Sequence, residues 1–161
     1  MIIRKATPDD AEYLAQACLE VVRFMRKGDT DKFISGFPDE VAPEMIKWAR
    51  DHAASSDKVA FIAEEPEGNR IGCIFGRIEE SNMPMAISGE IGSIPVCWVE
   101  PDHQNTGIGR ALLGEIEKWF LARGIHHLEV AYMARNAVAR EAWTHFGFVP
   151  FRIFAYKEIG E

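Results

Sequence analysis

Apolar residues recur every three or four positions from Ala11 to Met25, a spacing that predicts an amphipathic helix. Thr7, Pro8 and Asp10 precede it and fit a helix start, with a capping residue, a proline in the first turn and an acid three residues after the cap. The same helical spacing predicts three further helices, at 44–54, 106–123 and 137–146.

Short runs rich in apolar residues and bounded by turn residues predict the strands. Pro95 interrupts one of these runs, and because proline cannot donate to a β-ladder we expect an edge or a bulge there. Strands and helices alternate, so we expect one mixed α/β domain over residues 1–161, with a central sheet flanked by helices. The predicted strands are 2–6, 59–65, 70–77, 90–99, 127–134 and 150–159.

Composition and charge exclude several classes of protein. The chain is 47% hydrophobic and 27% charged, which is ordinary for a globular protein. The chain has 18 lysine and arginine residues against 25 acidic residues, which gives a net charge of -7. The lysine and arginine residues form no long cluster in the sequence. We therefore expect no nucleic-acid partner. No apolar run is long enough to span a membrane and the first residues do not resemble a signal peptide, so we expect a cytoplasmic protein.

The three cysteines, Cys18, Cys73 and Cys97, are odd in number and show no C-x-x-C spacing. This pattern is typical of reduced thiols in a cytoplasmic protein. No histidine or cysteine pair has the spacing of metal ligands, so we expect no metal site.

Candidate chemistry lies where the run 90–99 leads through a glycine-bearing turn into the helix 106–123. Backbone N–H groups at a helix start lack intrahelical partners and carry partial positive charge. The glycines, Gly107 and Gly109, would let a phosphate or pyrophosphate approach closely. A tight turn that binds nothing explains the same residues equally well.

Two nucleotide-binding motifs fit this turn poorly. A P-loop needs lysine and then serine or threonine after its last glycine, where this chain has Arg110 and Ala111. A dinucleotide fingerprint needs a third glycine, where this chain has Leu112. A nucleotide-binding protein that uses Gly107 and Gly109 remains a further alternative.

The turn also contains Gln104-x-x-Gly107-x-Gly109, preceded by Val99-x-Pro101. Together with Asn136-x-x-Ala139 before Gly147-Phe148, this order resembles the GNAT N-acetyltransferase superfamily. The resemblance implies a GNAT-like fold with splayed strands and acetyl-CoA as co-substrate. It also implies direct attack, in a ternary complex, by a primary amine of a small molecule or peptide. Dimers are common in that superfamily, which leaves a homodimer open here.

The resemblance further implies roles for individual residues. Backbone groups of Cys97 and Val99 would pair with the pantetheine arm, and one of their amides would polarise the thioester carbonyl. Pro95 fits the bulge that splays the strands, and Asn136 would bind the pantetheine region. The residues expected to cradle the pyrophosphate, mostly through main-chain N–H groups, are Gln104, Thr106, Gly107, Ile108, Gly109 and Arg110.

Trp143 stands where many relatives have a tyrosine that protonates the departing thiolate. An indole can pack against the cofactor but is no useful acid. A thiol of pKa about 8.5 can leave as the thiolate at pH 7 at a free-energy cost of roughly 2 kcal/mol. Deprotonating an amine of pKa about 10.4 at the same pH costs roughly 4.6 kcal/mol. The base therefore matters more than the acid. Trp143 nevertheless favours the alternative of a non-catalytic CoA-binding module.

Catalytic candidates are Glu90 and Glu100 as bases, and Tyr132 or Tyr156 as acids. A solvated carboxylate and a buried core tyrosine are the competing interpretations. We expect the acceptor pocket to form from the first two helices, the connection 27–43 and the segment 79–89. These segments combine apolar and acidic side chains, which suits an apolar amine but equally suits a loop packed on the core. The apolar side chains are those of Phe24, Met25, Phe33, Phe37, Trp48, Met83 and Met85, and the acidic ones are those of Asp29, Asp31, Asp39, Glu79 and Glu80.

Overall fold

A computed structural model describes residues 1–28, 36–81, 89–155, 157 and 159. Six strands form one mixed sheet in the order β1-β2-β3-β4-β6, and β5 pairs with β3 beside this path. Only the β4–β6 pair is parallel among the strand pairs of the described ranges. The strands are β1 (Ile2–Lys5), β2 (Lys58–Glu64), β3 (Arg70–Glu80), β4 (Glu90–Ile94), β5 (Cys97–Val99) and β6 (Leu128–Val130).

Four helices cover the two faces of this sheet: α1 (Ala11–Gly28), α2 (Pro43–Ala54), α3 (Ile108–Leu121) and α4 (Ala137–His145). On one face, α1 and α2 bury Leu14 and Ala49 against Phe75 of β3. On the other face, α3 buries Ile116 against the strands. Gly76 of β3 permits this close packing, since a Cβ there would lie 2.6 Å from the Ile116 side chain. The mixed α/β fold class is thus confirmed.

The predicted helix start at Thr7 is also confirmed, although one 3-10 turn, Pro8–Asp10, precedes α1. The Asp10 carboxylate accepts hydrogen bonds from the Thr7 N–H at 2.9 Å and from the Thr7 hydroxyl at 3.2 Å. These contacts satisfy donors that a helix start leaves without partners. The acid three residues after the cap therefore acts as its position predicted.

The strands predicted at 90–99 and 127–134 are several residues longer than the strands that the structure shows there. Residues 90–99 divide at Pro95 into β4 and β5, because proline cannot donate to the ladder that β4 forms. The strand predicted at 127–134 is only three residues long, since the chain leaves β4 after Val130. The break at Pro95 and the end of β6 at Val130 lie side by side in the sheet, so the two chain segments separate beyond this point.

The last predicted strand, 150–159, is wrong for the residues that the structure describes. Residues 150–155 form no strand, and Val149 and Ile153 are 80% and 86% exposed. Arg152 lies 4.0 Å from Glu129 of β6, so the segment runs near that strand without pairing with it. An alternating apolar pattern predicts which side chains would share the buried face of a strand. The strand forms only if a neighbouring strand has free backbone groups to pair with it. Tyr156 lies outside the described residues.

His52 of α2 is a buried imidazole that links α2 to the sheet. Its Nε2 lies 3.0 Å from the carbonyl oxygens of both Val59 and Gly76, so we assign the proton to Nε2 as donor. The ring packs against Trp48 and Phe75, with centroids 5.1 Å away in each case. Burial lowers the pKa of His52, because the charged form would lose its solvation.

We expect this histidine to make the protein less stable in mild acid. Because the pKa of His52 is lower in the folded chain, its contribution is lost as pH falls below about 6.5, by at most about 1.4 kcal/mol per pH unit. Urea unfolding between pH 7.5 and 5.5 measures this slope. His52→Gln should flatten it, since glutamine can donate a hydrogen bond but does not titrate. Equal slopes in both proteins would show that other groups set the pH dependence.

Candidate functional site

A gap opens in the sheet where β4 ends. Up to that point β4 and β6 run parallel, and their last paired residues are Ile94 and Val130. Beyond Pro95 the chain continues as β5, which pairs only with β3 among the described strands. We call the opening between β5 and residues 131–134 the splayed gap. This is the place where the resemblance predicted splayed strands.

The backbone of β5 presents unpaired polar groups to the splayed gap. The Val96 carbonyl accepts a hydrogen bond from Phe75 N–H at 2.8 Å, and the Glu100 N–H donates to the Ile71 carbonyl at 3.0 Å. Because backbone groups alternate in direction along a strand, those of Cys97 and Val99 point away from β3 and into the gap. The Val99 carbonyl accepts from the Gln104 side chain at 3.0 Å. Both N–H groups and the Cys97 carbonyl remain for an extended ligand.

The turn after β5 delivers the chain to an uncapped helix start. Gly107 is the N-cap of α3 with a φ of 90°, a conformation that glycine adopts without strain. The first intrahelical hydrogen bond runs from Ala111 N–H to the Gly107 carbonyl. The N–H groups of Ile108, Gly109 and Arg110 therefore have no intrahelical acceptor, and Gly107 offers no side-chain oxygen to them. Such a start suits an anion.

The polar side chains of this turn bind neighbouring carbonyl groups and so fix its shape. Gln104 donates to Val99, and the Thr106 hydroxyl donates to the His103 carbonyl at 2.5 Å. Arg110 donates to the His145 carbonyl at 3.0 Å and lies over the Phe146 ring, 5.4 Å from its centroid. An anion at this turn would therefore meet main-chain N–H groups before these side chains.

Asn136 is the N-cap of α4 and borders the splayed gap after residues 131–134. Its Oδ1 accepts the Ala139 N–H at 3.0 Å, which leaves the Nδ2 group able to donate. Trp143, further along α4, packs against Phe146 and Phe148 with centroid distances of 5.9 and 5.2 Å. It belongs to the apolar cluster around α3, so core packing already accounts for an indole there.

The three catalytic candidates that the structure describes, Glu90, Glu100 and Tyr132, lie in different places. Glu90 is the first residue of β4, four residues before Ile94, where the splayed gap opens, which is about 13 Å along a strand at about 3.3 Å per residue. Glu100 follows β5 and accepts a hydrogen bond from the Trp98 indole at 3.2 Å. Tyr132 is half-buried in the 131–134 wall of the splayed gap. Glu100 and Tyr132 thus adjoin the splayed gap, and Glu90 lies at the opposite end of β4 from it.

The thiols do not supply a nucleophile. Burial raises the pKa of Cys97 to about 12 and that of Cys18 to about 12. Burial also raises the pKa of Cys73 well above its usual range. All three are protonated at neutral pH, and the reactive form of cysteine is the thiolate.

A cavity of about 310 Å³ lies between the last turn of α1 and the chain that enters α4. Phe24 and Met25, two residues predicted for the acceptor pocket, line it. Sequence reasoning missed its other wall, although the resemblance had placed the adjacent Asn136 near the cofactor. The lining residues are Phe24, Met25, Lys27, Met133, Arg135, Asn136, Ala137 and Val138.

Among the other residues predicted for the acceptor pocket, those that the structure describes do not line this cavity. Trp48 is 40% exposed and stacks on the buried Phe75 ring with a centroid distance of 5.3 Å. Phe37 is half exposed. Asp39 and Glu79 form ion pairs with Arg26 and Arg77, and Glu80 ends β3. Phe33, Met83, Met85, Asp29 and Asp31 lie outside the described residues.

The described part of the chain contains neither a cluster of metal ligands nor a membrane-spanning helix. No group of three or more histidine, cysteine, aspartate or glutamate side chains within 1–28, 36–81 and 89–155 could hold a metal ion. Among the helices described above, none has the length and apolar character needed to cross a membrane.

The sequence from residue 22 to residue 148 matches the Acetyltransferase (GNAT) family. The chain belongs to this family. The resemblance stated from the motifs is therefore confirmed, and this GNAT protein is classed with the acyltransferases.

Individual relatives carry acetyltransferase names. The chain is 25% identical to the Aminoglycoside N(6')-acetyltransferase type 1 of Stenotrophomonas maltophilia. The aligned 146 residues cover 91% of this chain and 84% of that protein. The chain is also 42% identical to the Acetyl transferase GW6a of Oryza sativa subsp. japonica. The aligned 55 residues cover 34% of this chain but only 13% of that protein.

Solved structures share the fold. The tetramutant of the BH1408 protein from Bacillus halodurans has a TM-score of 0.84 at 15% identity and covers 99% of this chain and 100% of its own. AAC(6')-Iy, solved in complex with the bisubstrate analog CoA-S-monomethyl-acetylneamine, has a TM-score of 0.74 at 16% identity, with 99% and 98% covered. At these identities the likeness concerns the fold alone.

Proposed function

We propose that this GNAT protein transfers the acetyl group of acetyl-CoA to a primary amine of a small molecule. The observation that carries the proposal is the continuity of the site. The unpaired edge of β5 leads, within one turn, to the uncapped start of α3. An extended arm that ends in a pyrophosphate needs these two features in this order. The names of the relatives, which include an aminoglycoside N-acetyltransferase, support the same activity.

Each part of acetyl-CoA would meet residues of suitable chemistry. The pyrophosphate would accept hydrogen bonds from the N–H groups of Ile108, Gly109 and Arg110. The pantetheine amides would pair with the gap-facing groups of Cys97 and Val99, as an added strand would. The Asn136 Nδ2 group would donate to a pantetheine carbonyl. No metal takes part in this proposal.

The chemistry is direct attack in a ternary complex. The amine nitrogen forms a bond to the thioester carbonyl carbon, the carbon–sulfur bond breaks, and the products are an acetamide and the CoA thiol. A gap-facing N–H of β5 would stabilise the negative charge that develops on the carbonyl oxygen. Glu100, through water, would take the proton of the ammonium group, and Tyr132 would donate one to the sulfur. The protonated thiol of Cys97 leaves no acetyl-enzyme step to it.

The first test is the melting temperature with and without 1 mM acetyl-CoA. A ligand at about 100 times its Kd stabilises by roughly 2.7 kcal/mol, which is several degrees for a domain of this size. Release of free thiol with a panel of primary amines then tests transfer, and Tyr132→Phe should slow it most at mildly alkaline pH, where the amine is largely deprotonated and departure of the thiolate limits the rate. No shift with acetyl-CoA, or a shift with NAD or ATP instead, would contradict the proposal.

The second candidate is a GNAT-like module that binds CoA without turnover. Trp143 favours it, because an indole stands where many relatives have an acidic tyrosine. Stabilisation by acetyl-CoA with no thiol release from any amine would support this candidate.

A further inference from the structure

We propose that Glu65 and His103 are positioning residues for the pyrophosphate of acetyl-CoA, and that they act through the turn that leads into α3. We call this turn, residues 101–107, the anion turn. His103 belongs to it, and Glu65 begins the hairpin turn 65–69 between β2 and β3. The inference rests on the proposed function, because it concerns the pyrophosphate site of that function.

The two side chains form a hydrogen bond between residues that are 38 positions apart in the sequence. His103 Nε2 lies 3.2 Å from Glu65 Oε1, and each side chain is 33% exposed. Because an ionised carboxylate can only accept, we assign the proton to Nε2 as donor. The other Glu65 oxygen accepts from the Asn69 side chain at 2.9 Å. The hydrogen bonds from Asn69 and His103 lower the pKa of Glu65, so the carboxylate is ionised at neutral pH.

Among the described residues, the contact with Glu65 is the one polar contact that joins the anion turn to a distant part of the chain. The other side-chain hydrogen bonds of the turn are local, from Gln104 to Val99 and from Thr106 to His103. Its main-chain hydrogen bonds also link neighbouring residues of the same segment. The Glu65–His103 pair is therefore the polar contact that fixes the turn against the β2–β3 hairpin.

The hairpin turn is a firm base for this contact. The Glu65 N–H donates to the Asn69 carbonyl and the Gly68 N–H donates to the Glu65 carbonyl, each at 2.9 Å. Gly68 has a φ of 89°, which glycine adopts without strain. The strands that the turn connects, β2 and β3, are paired from Lys58 to Glu64. The carboxylate is thus held by the sheet itself.

The main chain of His103 connects this contact to the anion site. Its carbonyl accepts the Thr106 hydroxyl at 2.5 Å, and the next residue, Gly107, is the N-cap of α3. His103 Nδ1 is buried without a hydrogen-bond partner in the described part of the chain, so this nitrogen does not face a ligand. The pair therefore acts on the pyrophosphate by orienting the N–H groups that follow Gly107, and hydrogen bonds weaken steeply when they are misaligned.

Calorimetric titration with acetyl-CoA tests the inference. His103→Ala and Glu65→Ala should each weaken binding about 10-fold, and the double variant should bind no more weakly than either, because both remove the same contact. Glu65→Gln should bind as tightly as the original chain, since its amide oxygen still accepts from Nε2. The two Glu65 variants have the same charge, so the difference between them measures the hydrogen bond. Glu67→Ala, at an exposed position of the same hairpin turn, should change the affinity by no more than about 2-fold.

Amide hydrogen exchange in the ligand-free protein gives a second readout that does not depend on acetyl-CoA. The Gln104 N–H donates to the Pro101 carbonyl at 3.3 Å within the anion turn. It should exchange about 10-fold faster in His103→Ala and Glu65→Ala than in Glu65→Gln. Exchange in β3 should be the same in all variants, because only the turn loses its anchor.

Several results would overturn the inference alone. These are an unchanged affinity for acetyl-CoA in His103→Ala, an equal loss in Glu65→Ala and Glu65→Gln, and additive losses in the double variant. Faster exchange throughout β3 would also overturn it, because the variants would then be destabilised as a whole. Failure of the original chain to bind acetyl-CoA would overturn the proposed function and this inference together, so the two failures are distinguishable.

Discussion

Replacing Gly107 with aspartate is expected to weaken acetyl-CoA binding by roughly 100-fold, or about 2.7 kcal/mol. As the N-cap of α3, Gly107 leaves three N–H groups open to an anion. An aspartate at an N-cap places its carboxylate on these same N–H groups. The carboxylate would both occupy the anion site and repel the pyrophosphate, and such repulsion costs several kcal/mol. Isothermal titration calorimetry with acetyl-CoA at fixed ionic strength measures the loss.

Gly107→Asn is the matched control for this variant. Both side chains have the same shape, both can cap α3, and both carry the strain of a φ near 90°. They differ in charge alone, so we expect asparagine to cost no more than about 10-fold in affinity. Raising the salt concentration should narrow the difference between the two variants. If aspartate and asparagine bound acetyl-CoA equally well, the pyrophosphate would not lie at the start of α3.

The elements that sequence predicted best are those with local signals at their ends. Asn136 caps α4 with its own side chain, and Gly147, with a φ of 97°, follows its last turn. Pro95 marked the break between β4 and β5 because the loss of a backbone donor is a property of the residue itself. The strand predicted at 150–159 had only its apolar pattern, and whether a partner edge is available depends on the rest of the fold.

The distinction between local signals and features that depend on the rest of the fold also applies to the proposed acetyl-CoA site. The turn from Gln104 to Arg110 is contiguous, so its motif was visible in the sequence. The direction of the Cys97 and Val99 backbone groups depends on the register of β5 with β3, and before the structure only the resemblance implied it. The cavity was missed because Lys27 and Arg135 are far apart in sequence and come together only through folding.

The second large effect is expected at Asp10, where Asp10→Asn should lower the free energy of unfolding by about 3 kcal/mol. Asp10 is 2% exposed, and its carboxylate accepts two hydrogen bonds from Arg4, each at 2.8 Å. Arg70 lies 3.0 Å away and the Thr7 N–H donates at 2.9 Å. An asparagine side chain would keep the shape but turn a donor toward these cations. Urea unfolding at pH 7 measures the difference.

Asp51→Asn provides the control for this loss. Asp51 pairs with Lys47 one helical turn away on the exposed side of α2, and solvent-exposed pairs of this kind contribute little to stability. A loss at Asp10 no larger than the loss at Asp51 would contradict the role given to the buried carboxylate.

The pH dependence separates the charge of Asp10 from its shape. Hydrogen bonds from the Arg4 guanidinium hold the pKa of Asp10 well below its usual range, even though burial acts in the opposite direction. The unfolded chain has an aspartate pKa near 3.9, so the stabilisation is complete above that pH and is lost as pH falls toward the lower folded value. The gap between the original chain and Asp10→Asn should therefore be constant from pH 7 to about pH 5 and shrink below about pH 4. A gap that stayed constant down to pH 2 would mean that asparagine disturbs the packing around Thr7 rather than the ion pairs.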